Sequence, residues 1–225
     1  IFRRSQPFFK WYGTIWRKML ASFDQLFLQD EESVMLLDSI NIKGNVILTG
    51  DTRFDRVIAI AEKKEPVKYI SHFIGNHPVL VAGSTWEEDE IELLHFVKAN
   101  PHIKFIIAPH EIMEGNLVDV KKEFNNSIFY SELTGEIKLQ DEINVLIIDN
   151  IGMLSKLYQY ALVTYVGGGS GNEGVHNVLE AAVYGKPVIF GPVYEKYSEA
   201  RGLVESGGAI SVNGPLQLES VLNHL

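Results

Sequence analysis

The sequence predicts an α/β protein built on a parallel β-sheet. In the later part of the 225-residue chain, six short apolar stretches alternate with segments of helical periodicity, as in parallel sheets covered by helices. One βαβ unit, Ala161–Pro192, combines a strand, a glycine-rich loop, a helix and a second strand. Hydrophobic residues make up 46% of the chain, which is enough for a packed core.

The βαβ unit at Ala161–Pro192 carries the clearest functional pattern. Its first strand, Leu162–Val166, is apolar and β-branched, and glycines are dense over the next eight residues, Gly167–Gly174. Helical spacing follows, with Asn177 and Glu180 in the predicted first turn. Because a helix N-terminus beside the carboxyl end of a parallel strand attracts anions, this unit predicts an anion-binding site.

The glycine loop can be compared with three known patterns. Gly169–Gly174 matches the dinucleotide fingerprint G-x-G-x-x-G, but the next strand ends at Phe190 without a carboxylate for a ribose. A P-loop is excluded because no Gly-Lys-Ser/Thr follows the glycines. A nucleophile elbow at Ser170 is excluded because position 172 is asparagine rather than glycine. A tight turn without a ligand stays open as an alternative.

Two further loops follow predicted strands and should lie at the same edge of the sheet. The first contains two S/T-x-x-E patterns typical of a helix capping box, Ser84 with Glu87 and Thr85 with Glu88. The second contains His110. We expect Ser84 and His110 to face the ligand cleft, with capping alone as the alternative for Ser84 and a structural role as the alternative for His110.

Composition argues against several classes of function. The formal net charge of −9 argues against a general nucleic-acid surface, so no nucleic-acid partner is predicted. The absence of cysteine excludes disulfides, thiolate metal sites and a cysteine nucleophile. The seven histidines show neither H-x-x-x-H nor H-E-x-x-H spacing, so no metal site is predicted.

Residues 1–20 differ from the rest of the chain. They contain Lys and Arg but no acidic residue, and the basic residues are interleaved with Phe, Trp and Tyr. A basic and aromatic stretch is typical of a membrane interface or of a surface that binds an anionic glycolipid. Packing of these aromatic residues against another domain is the alternative.

Four segments together resemble the 3-deoxy-D-manno-octulosonic acid (Kdo) transferases. They are Gly50–Val57, Gly174–Glu180, Gly185–Pro192 and Tyr197–Ala200, and they read GDTRFDRV, GVHNVLE, GKPVIFGP and YSEA. The family pattern has a glycine cluster, then Gly-His-Asn-Pro-Leu-Glu, then a strand that ends in Gly-Pro. The resemblance covers nearly all of the chain and implies the two-domain GT-B glycosyltransferase fold.

The resemblance also implies how the chain is divided. Residues 1–52 would be the end of the N-terminal acceptor domain and the hinge, and residues 53–77 a linker helix. Residues 78–225 would be the nucleotide-sugar donor-binding domain. The expected fold is therefore a Rossmann-like parallel sheet domain plus a remnant of the first domain.

The resemblance implies an inverting, metal-independent transfer of Kdo from CMP-Kdo to the lipid A precursor, in lipopolysaccharide biosynthesis at the cytoplasmic face of the bacterial inner membrane. CMP-Kdo would be a substrate, and no cofactor is expected. In the family an acidic residue of the acceptor domain acts as catalytic base, and that part precedes Ile1. No catalytic residue is therefore expected within the chain, which should be inactive on its own. A UDP-sugar 2-epimerase-like enzyme and a nicotinamide dinucleotide-binding domain remain as alternatives.

The resemblance places donor-binding roles on one motif. Gly174 and His176 belong to it, Asn177 and its helix would bind the phosphate, and Glu180 would accept hydrogen bonds from both ribose hydroxyls. From the local pattern alone, Asn177 and Glu180 could equally form a helix cap, because Asn-x-x-Glu satisfies the local backbone.

A second set of donor-binding roles falls on Ile151, Gly152 and Met153. In the family this loop reads the edge of the cytosine base. The chain departs from the family twice: Met153 stands where the family has an acid, and Pro109 stands where it has the arginine that serves the donor phosphate.

Overall fold

The computed structural model describes residues 1–134 and 142–224. The chain divides into two compact units, Ile1–Arg56 and Val57–Leu225. Most of the polar connection predicted at Thr134–Asn144 lies outside the described residues, as does Leu225, the last residue of the final predicted helix.

The first unit contains a two-stranded parallel sheet. Its elements are α1 (Thr14–Ala21), β1 (Leu26–Leu28), α2 (Glu31–Asp38) and β2 (Val46–Leu48), and α3 (Thr52–Lys63) leads into the second unit. The side chain of Asp30 caps α2 by accepting a hydrogen bond from the backbone N–H of Ser33. The buried residues of its small core are Leu20, Leu28, Leu37 and Ile42.

The aromatic residues of segment 1–20 fall into two sets. Phe2, Phe8 and Phe9 meet edge to face, with ring centroids 5.5–6.2 Å apart, and pack on the small core. Trp11 is 91% exposed, and Tyr12, Ile15 and Met19 are also exposed. The three phenylalanines therefore pack within their own unit, and the membrane-interface and interdomain interpretations of the segment stay predictions.

The second unit is a three-layer α/β structure. Its first elements are α4 (Ile70–Ile74), β3 (Val79–Thr85), α5 (Glu87–Ala99), β4 (Lys104–Pro109), α6 (Glu114–Glu123), β5 (Ser127–Phe129) and β6 (Val145–Ile147). They are followed by α7 (Leu154–Leu157), β7 (Val163–Val166), α8 (Leu179–Ala182), β8 (Val188–Phe190), α9 (Ser198–Glu205), β9 (Ala209–Ser211) and α10 (Pro215–Leu222). The stretch predicted as one linker helix, 53–77, contains two helices, most of α3 and all of α4. Within the described part of the chain, no helix is both long enough and apolar enough to cross a membrane.

The described residues of the second unit form a parallel sheet of seven strands in the order β5-β6-β4-β3-β7-β8-β9. The predicted α/β class is therefore confirmed, and β5 adds one strand to the six expected from the sequence. Helices α4, α7, α8 and α9 contribute to the core on one face, and α5, α6 and α10 to the core on the other. Because both faces are buried, the strands are apolar throughout rather than alternating.

The direction of winding changes between β3 and β7. These strands are neighbours, with Leu80 opposite Val163. However, β3 is followed by β4 on one side, whereas β7 is followed by β8 on the other. At such a switch point the loops after the two strands diverge and leave a crevice at the carboxyl edge, where open α/β sheets bind ligands. The predicted anion site follows β7 and so lies at this position.

Candidate functional site

Asp89 connects the two loops at the switch point. Its side chain is fully buried, at 0% exposure. Oδ2 accepts hydrogen bonds from the backbone N–H of Trp86 (2.9 Å) and of Gly168 (2.8 Å). Oδ1 accepts a hydrogen bond from the hydroxyl of Tyr165 (2.8 Å). One carboxyl group therefore caps α5 and holds the start of the glycine loop in place.

The predicted capping boxes at Ser84 and Thr85 are wrong. The cap of α5 is formed one residue later, between Trp86 and Asp89, because Ser84 is in a β-bulge with a φ of 53°. The Thr85 hydroxyl instead donates to Oε1 of Glu90 at 2.7 Å. Ser84 remains at the carboxyl end of β3, where the sequence places it.

The first glycines of the loop are required by close packing of backbones. A Cβ on Gly167 would lie 2.3 Å from the carbonyl oxygen of Ser84 and 2.7 Å from Oδ2 of Asp89. Gly168 has a φ of 87°, and a Cβ there would lie 2.5 Å from the carbonyl oxygen of Gly174. Close packing therefore requires glycine at these two positions, and a ligand-binding role of the loop stays a prediction.

Three aromatic rings from three loops form a stack at the carboxyl edge. The ring of His110, which follows β4, lies over those of Trp86 and His176, with centroids 4.6 and 4.4 Å away. The Nε1–H group of Trp86 donates to Nε2 of His176 at 2.8 Å. The structure thus brings together two predicted site residues, His110 and His176, through a tryptophan that sequence reasoning did not select.

The pKa of His176 is lowered from its ordinary value. Burial is the main cause, and the neighbouring imidazole of His110 acts in the same direction, whereas the carboxylates of Asp89 and Glu173 oppose both. His176 is therefore held neutral over a wider pH range than a free histidine.

The helix of the central motif begins later than predicted. The described helix α8 contains only Leu179–Ala182, and Asn177 precedes it instead of lying in its first turn. The backbone N–H groups of Val175 and His176 donate to the carbonyl oxygens of Val193 and Gly167, so the segment before α8 is held by neighbouring loops. The predicted helix start is therefore wrong, and the phosphate-binding role of Asn177 stays a prediction.

The side chains of Asn177 and Glu180 nevertheless lie together. Nδ2 of Asn177 donates to Oε1 of Glu180 at 3.0 Å. Oδ1 of Asn177 is buried and has no hydrogen-bond partner among the described residues. Because a buried acceptor without a partner costs free energy, a donor from a ligand would be stabilised there. A ribose hydroxyl is such a donor.

Two residues that follow β8 hold the loop at Gly174 by hydrogen bonds. Gly174 has a φ of 89°. The carbonyl oxygen of Glu173 accepts hydrogen bonds from Nζ of Lys196 (2.9 Å) and the hydroxyl of Tyr197 (3.1 Å). Lys196 was missed by sequence reasoning, although it directly precedes the segment Tyr197–Ala200 that resembles the Kdo transferases.

The loop after β6 lies on the same edge of the sheet. β6 and β3 both flank β4, so Ile151, Gly152 and Met153 lie on the far side of β4 from the glycine loop. Ile151 is 88% exposed, Gly152 has a φ of 95°, and Met153 packs on the core. Backbone groups of this loop are open to a ligand, and its proposed base-reading role stays a prediction.

No cluster of three or more His, Asp or Glu side chains that could hold a metal occurs in residues 1–134 and 142–224. Of the site residues predicted from sequence, Ser84 lies at the carboxyl end of β3. His110, Gly174, His176, Asn177 and Glu180 lie in loops or a short helix at the same edge of the sheet, around the switch point. Asp89, Trp86 and Tyr165 were missed. Trp86 and Asp89 could have been found as a cap one residue beyond the S/T-x-x-E patterns.

Several proteins of known name are similar to this chain in sequence. No protein-family model matches the chain. A bifunctional glycosyltransferase/methyltransferase of Fusobacterium nucleatum is 33% identical over 196 residues, which are 84% of the chain and 30% of that protein. The 3-deoxy-D-manno-octulosonic acid transferase of Aquifex aeolicus is 28% identical over 222 residues (95% of the chain, 57% of that protein), and that of Rickettsia prowazekii is 27% identical over 213 residues (92% and 45%). The chain is a relative of the Kdo transferases. It spans about half the length of these two transferases.

Solved structures with the same fold include a CMP-Kdo binding domain. The C-terminal CMP-Kdo binding domain of WaaA from Acinetobacter baumannii superposes with a TM-score of 0.57 and 19% identity, covering 74% of the chain and 87% of that domain. A UDP-GlcNAc 2-epimerase from Neisseria meningitidis, bound to UDP-GlcNAc, gives a TM-score of 0.63 and 19% identity, covering 100% of the chain and 58% of the epimerase. The GT-B-type fold predicted from the resemblance to Kdo transferases is confirmed.

Proposed function

We propose that this chain is the donor-binding half of an inverting glycosyltransferase that moves Kdo from CMP-Kdo to the lipid A precursor. The observation that carries the proposal is the position of the Kdo transferase motif Gly174–Glu180, which lies after β7 at the switch point of the sheet. The sequence similarity to named Kdo transferases supports the same substrate class.

In this proposal the phosphate and ribose of the donor lie against the motif. His176 faces the anionic group, and Asn177 and Glu180 face the ribose hydroxyls, to which a carboxylate and an amide oxygen are both acceptors. The loop at Ile151–Met153 reads the base. Pro109 stands where the family has the arginine that serves the phosphate, so the anion is bound without that arginine.

Further parts of the proposal come from the resemblance to Kdo transferases. No residue of this chain is assigned as the catalytic base, so the chain binds the donor without transferring it. The whole enzyme acts at the cytoplasmic face of the inner membrane, uses no cofactor and binds the lipid A precursor elsewhere. The exposed aromatic and apolar side chains of segment 1–20 suit a membrane surface.

A UDP-sugar 2-epimerase-like function is the second candidate, because the Neisseria meningitidis epimerase matches the fold over the whole chain. A nicotinamide site is less well supported. A dinucleotide fingerprint opens directly into a helix, whereas here an extended segment separates Gly174 from α8 at Leu179.

Nucleotide choice tests the proposal. If Ile151–Met153 read the base edge, CMP should bind more tightly than UMP or AMP, by up to about tenfold to a hundredfold, because the loop then offers hydrogen bonds that only cytosine completes. Isothermal titration calorimetry with the three nucleotides measures the difference. A preference for UMP would favour the epimerase-like function, and equal binding of all three would show that the loop does not read the base.

Glu180→Gln should lower CMP affinity by roughly tenfold or more. The variant keeps an oxygen that can accept from Asn177, but it removes the charge that strengthens a hydrogen bond from a ribose hydroxyl, worth about 1.5–3 kcal/mol. Calorimetry of the variant and the parent chain gives the ratio of affinities.

Glu205→Gln is the matched control, because it makes the same change at an exposed position at the end of α9, away from the motif. It should leave CMP affinity nearly unchanged. The nucleotide 2′,3′-dideoxy-CMP tests the contact from the ligand side: it should bind the parent weakly and be almost indifferent to Glu180→Gln. A parent chain that binds the dideoxy nucleotide as tightly as CMP would remove Glu180 from the site.

A further inference from the structure

The hydrogen bond between Trp86 and His176 determines which ring nitrogen of His176 carries the proton. An indole N–H group can only donate, so Nε2 of His176 must be the acceptor and must carry a lone pair. A neutral imidazole with an unprotonated Nε2 has its proton on Nδ1. His176 is therefore the Nδ1–H tautomer, which is the minor form of a free histidine side chain in water.

The ring of His176 is also fixed in orientation. A Cβ on Gly168 would lie 2.7 Å from Cδ2 and 3.0 Å from Nε2 of His176, so this edge of the ring faces the glycine loop as well as Trp86. The face of the ring lies against His110, with centroids 4.4 Å apart. The edge that carries Nδ1 is turned away from Gly168 and Trp86, and the residue is half-buried next to Asn177.

We propose that Trp86 is a positioning residue whose indole N–H holds His176 as the neutral Nδ1–H tautomer, so that this N–H donates to the phosphate of a bound nucleotide. The tautomer follows from the structure of the chain alone, whereas the contact with the nucleotide rests on the proposed function. The arrangement gives the site a directed donor in a chain in which Pro109 replaces the family's arginine.

The surrounding charges are consistent with a neutral ring. The groups that face His176 are His110 from the loop after β4, Asp89 from α5 and Glu173 from its own loop, and Nζ of Lys196 lies on the carbonyl oxygen of Glu173. Burial and His110 lower the pKa of His176, and together they outweigh the opposite effect of the carboxylates of Asp89 and Glu173. Protonation of Nε2 would also break the bond from Trp86, because both partners would then be donors.

The tautomer can be observed without any ligand. In a long-range ¹H–¹⁵N spectrum at about pH 8, His176 of the parent chain should show the Nδ1–H pattern. Trp86→Phe keeps an aromatic ring for His110 to stack on but removes the donor, so His176 should shift towards the Nε2–H form. Trp11→Phe, the same change at an exposed position, should leave the spectrum of His176 unchanged. An Nε2–H pattern in the parent chain would overturn the proposal.

The contact with phosphate is tested with CMP. Asparagine at position 176 can place its amide near the Nδ1 position, whereas glutamine places it near Nε2. His176→Asn should therefore keep most of the CMP affinity, and His176→Gln should lose about fivefold, the size expected for one hydrogen bond. Trp86→Phe should lose a similar factor. Retained binding in His176→Gln with loss in His176→Asn would contradict the contact. If the parent chain binds no CMP while His176 shows the Nδ1–H pattern, the proposed function fails and the role of Trp86 in fixing the tautomer stands.

Discussion

Asp89→Ala is expected to lower the free energy of unfolding by about 3–6 kcal/mol. The change leaves three donors without their acceptor, the backbone N–H groups of Trp86 and Gly168 and the hydroxyl of Tyr165. Each buried donor left unpaired costs about 1–3 kcal/mol. The donor at Trp86 is the cap of α5, so the loss of the cap is already part of this cost. Denaturant unfolding followed by circular dichroism measures the difference from the parent chain.

Two further variants separate the network from a general effect of losing charge. Asp89→Asn should cost much less than Asp89→Ala, because its oxygen can still accept from the two backbone groups while its amide donates to the oxygen of Tyr165. Tyr165 can then turn its own proton towards Oγ of Ser170, 3.3 Å away. Glu88→Ala removes a carboxylate from an exposed position of the same turn and should have little effect. An Asp89→Ala variant as stable as Glu88→Ala would contradict the assigned network.

Glu90→Gln is expected to stabilise the chain at alkaline pH by about 2–3 kcal/mol. Glu90 is only 4% exposed, and burial raises its pKa to about 7. The carboxylates of Glu123, Asp89 and Glu87 act in the same direction, and the hydrogen bond from Thr85 opposes them. A pKa that differs by one between the folded and unfolded chain corresponds to about 1.4 kcal/mol of stability.

The pH dependence follows from the raised pKa of Glu90. Between its ordinary value of 4.5 and about 7, the folded chain retains a proton on Glu90 that the unfolded chain releases, so stability falls as pH rises through this window. The gain from Glu90→Gln should therefore be small at pH 5 and reach its full size near pH 8. Glutamine keeps an oxygen that can accept from the Thr85 hydroxyl.

Unfolding curves of the parent and variant at pH 5, 6, 7 and 8 measure this dependence. Glu87→Gln, at an exposed position of the same turn, is the matched control and should show no comparable gain with pH. A gain from Glu90→Gln that is the same at pH 5 and pH 8 would show that burial of charge is not its cause.

The pattern along the chain predicts the strands well. Runs such as Val145–Ile147 and Val188–Phe190 are uniformly apolar because parallel strands are buried on both faces, and this signal is local. The resemblance to Kdo transferases adds the functional motif. Because the motif follows a predicted strand, it is expected at the carboxyl edge of the sheet. These predictions needed no knowledge of which strands are neighbours.

The start of helix α8 could not be predicted in the same way. The apolar spacing suits a helix with Asn177 in its first turn, but α8 begins at Leu179, and the segment before it is held by hydrogen bonds from Val175 and His176 to Val193 and Gly167. Those acceptors lie in other loops, so no local pattern records these contacts. The helical period was therefore predicted correctly, but the predicted helix begins too early.

The α/β class, the order of the elements and the motif Gly174–Glu180 can all be read from the sequence, because periodicity and glycine content are properties of neighbouring residues. The folded chain was needed to find that Asp89 holds the glycine loop and that Trp86 reaches His176, 90 residues further along the chain. Both contacts exist because β3 and β7 are adjacent in the sheet and their loops meet at the carboxyl edge. Strand adjacency depends on packing over the whole unit, and a hydrogen bond across it leaves no mark in the local sequence.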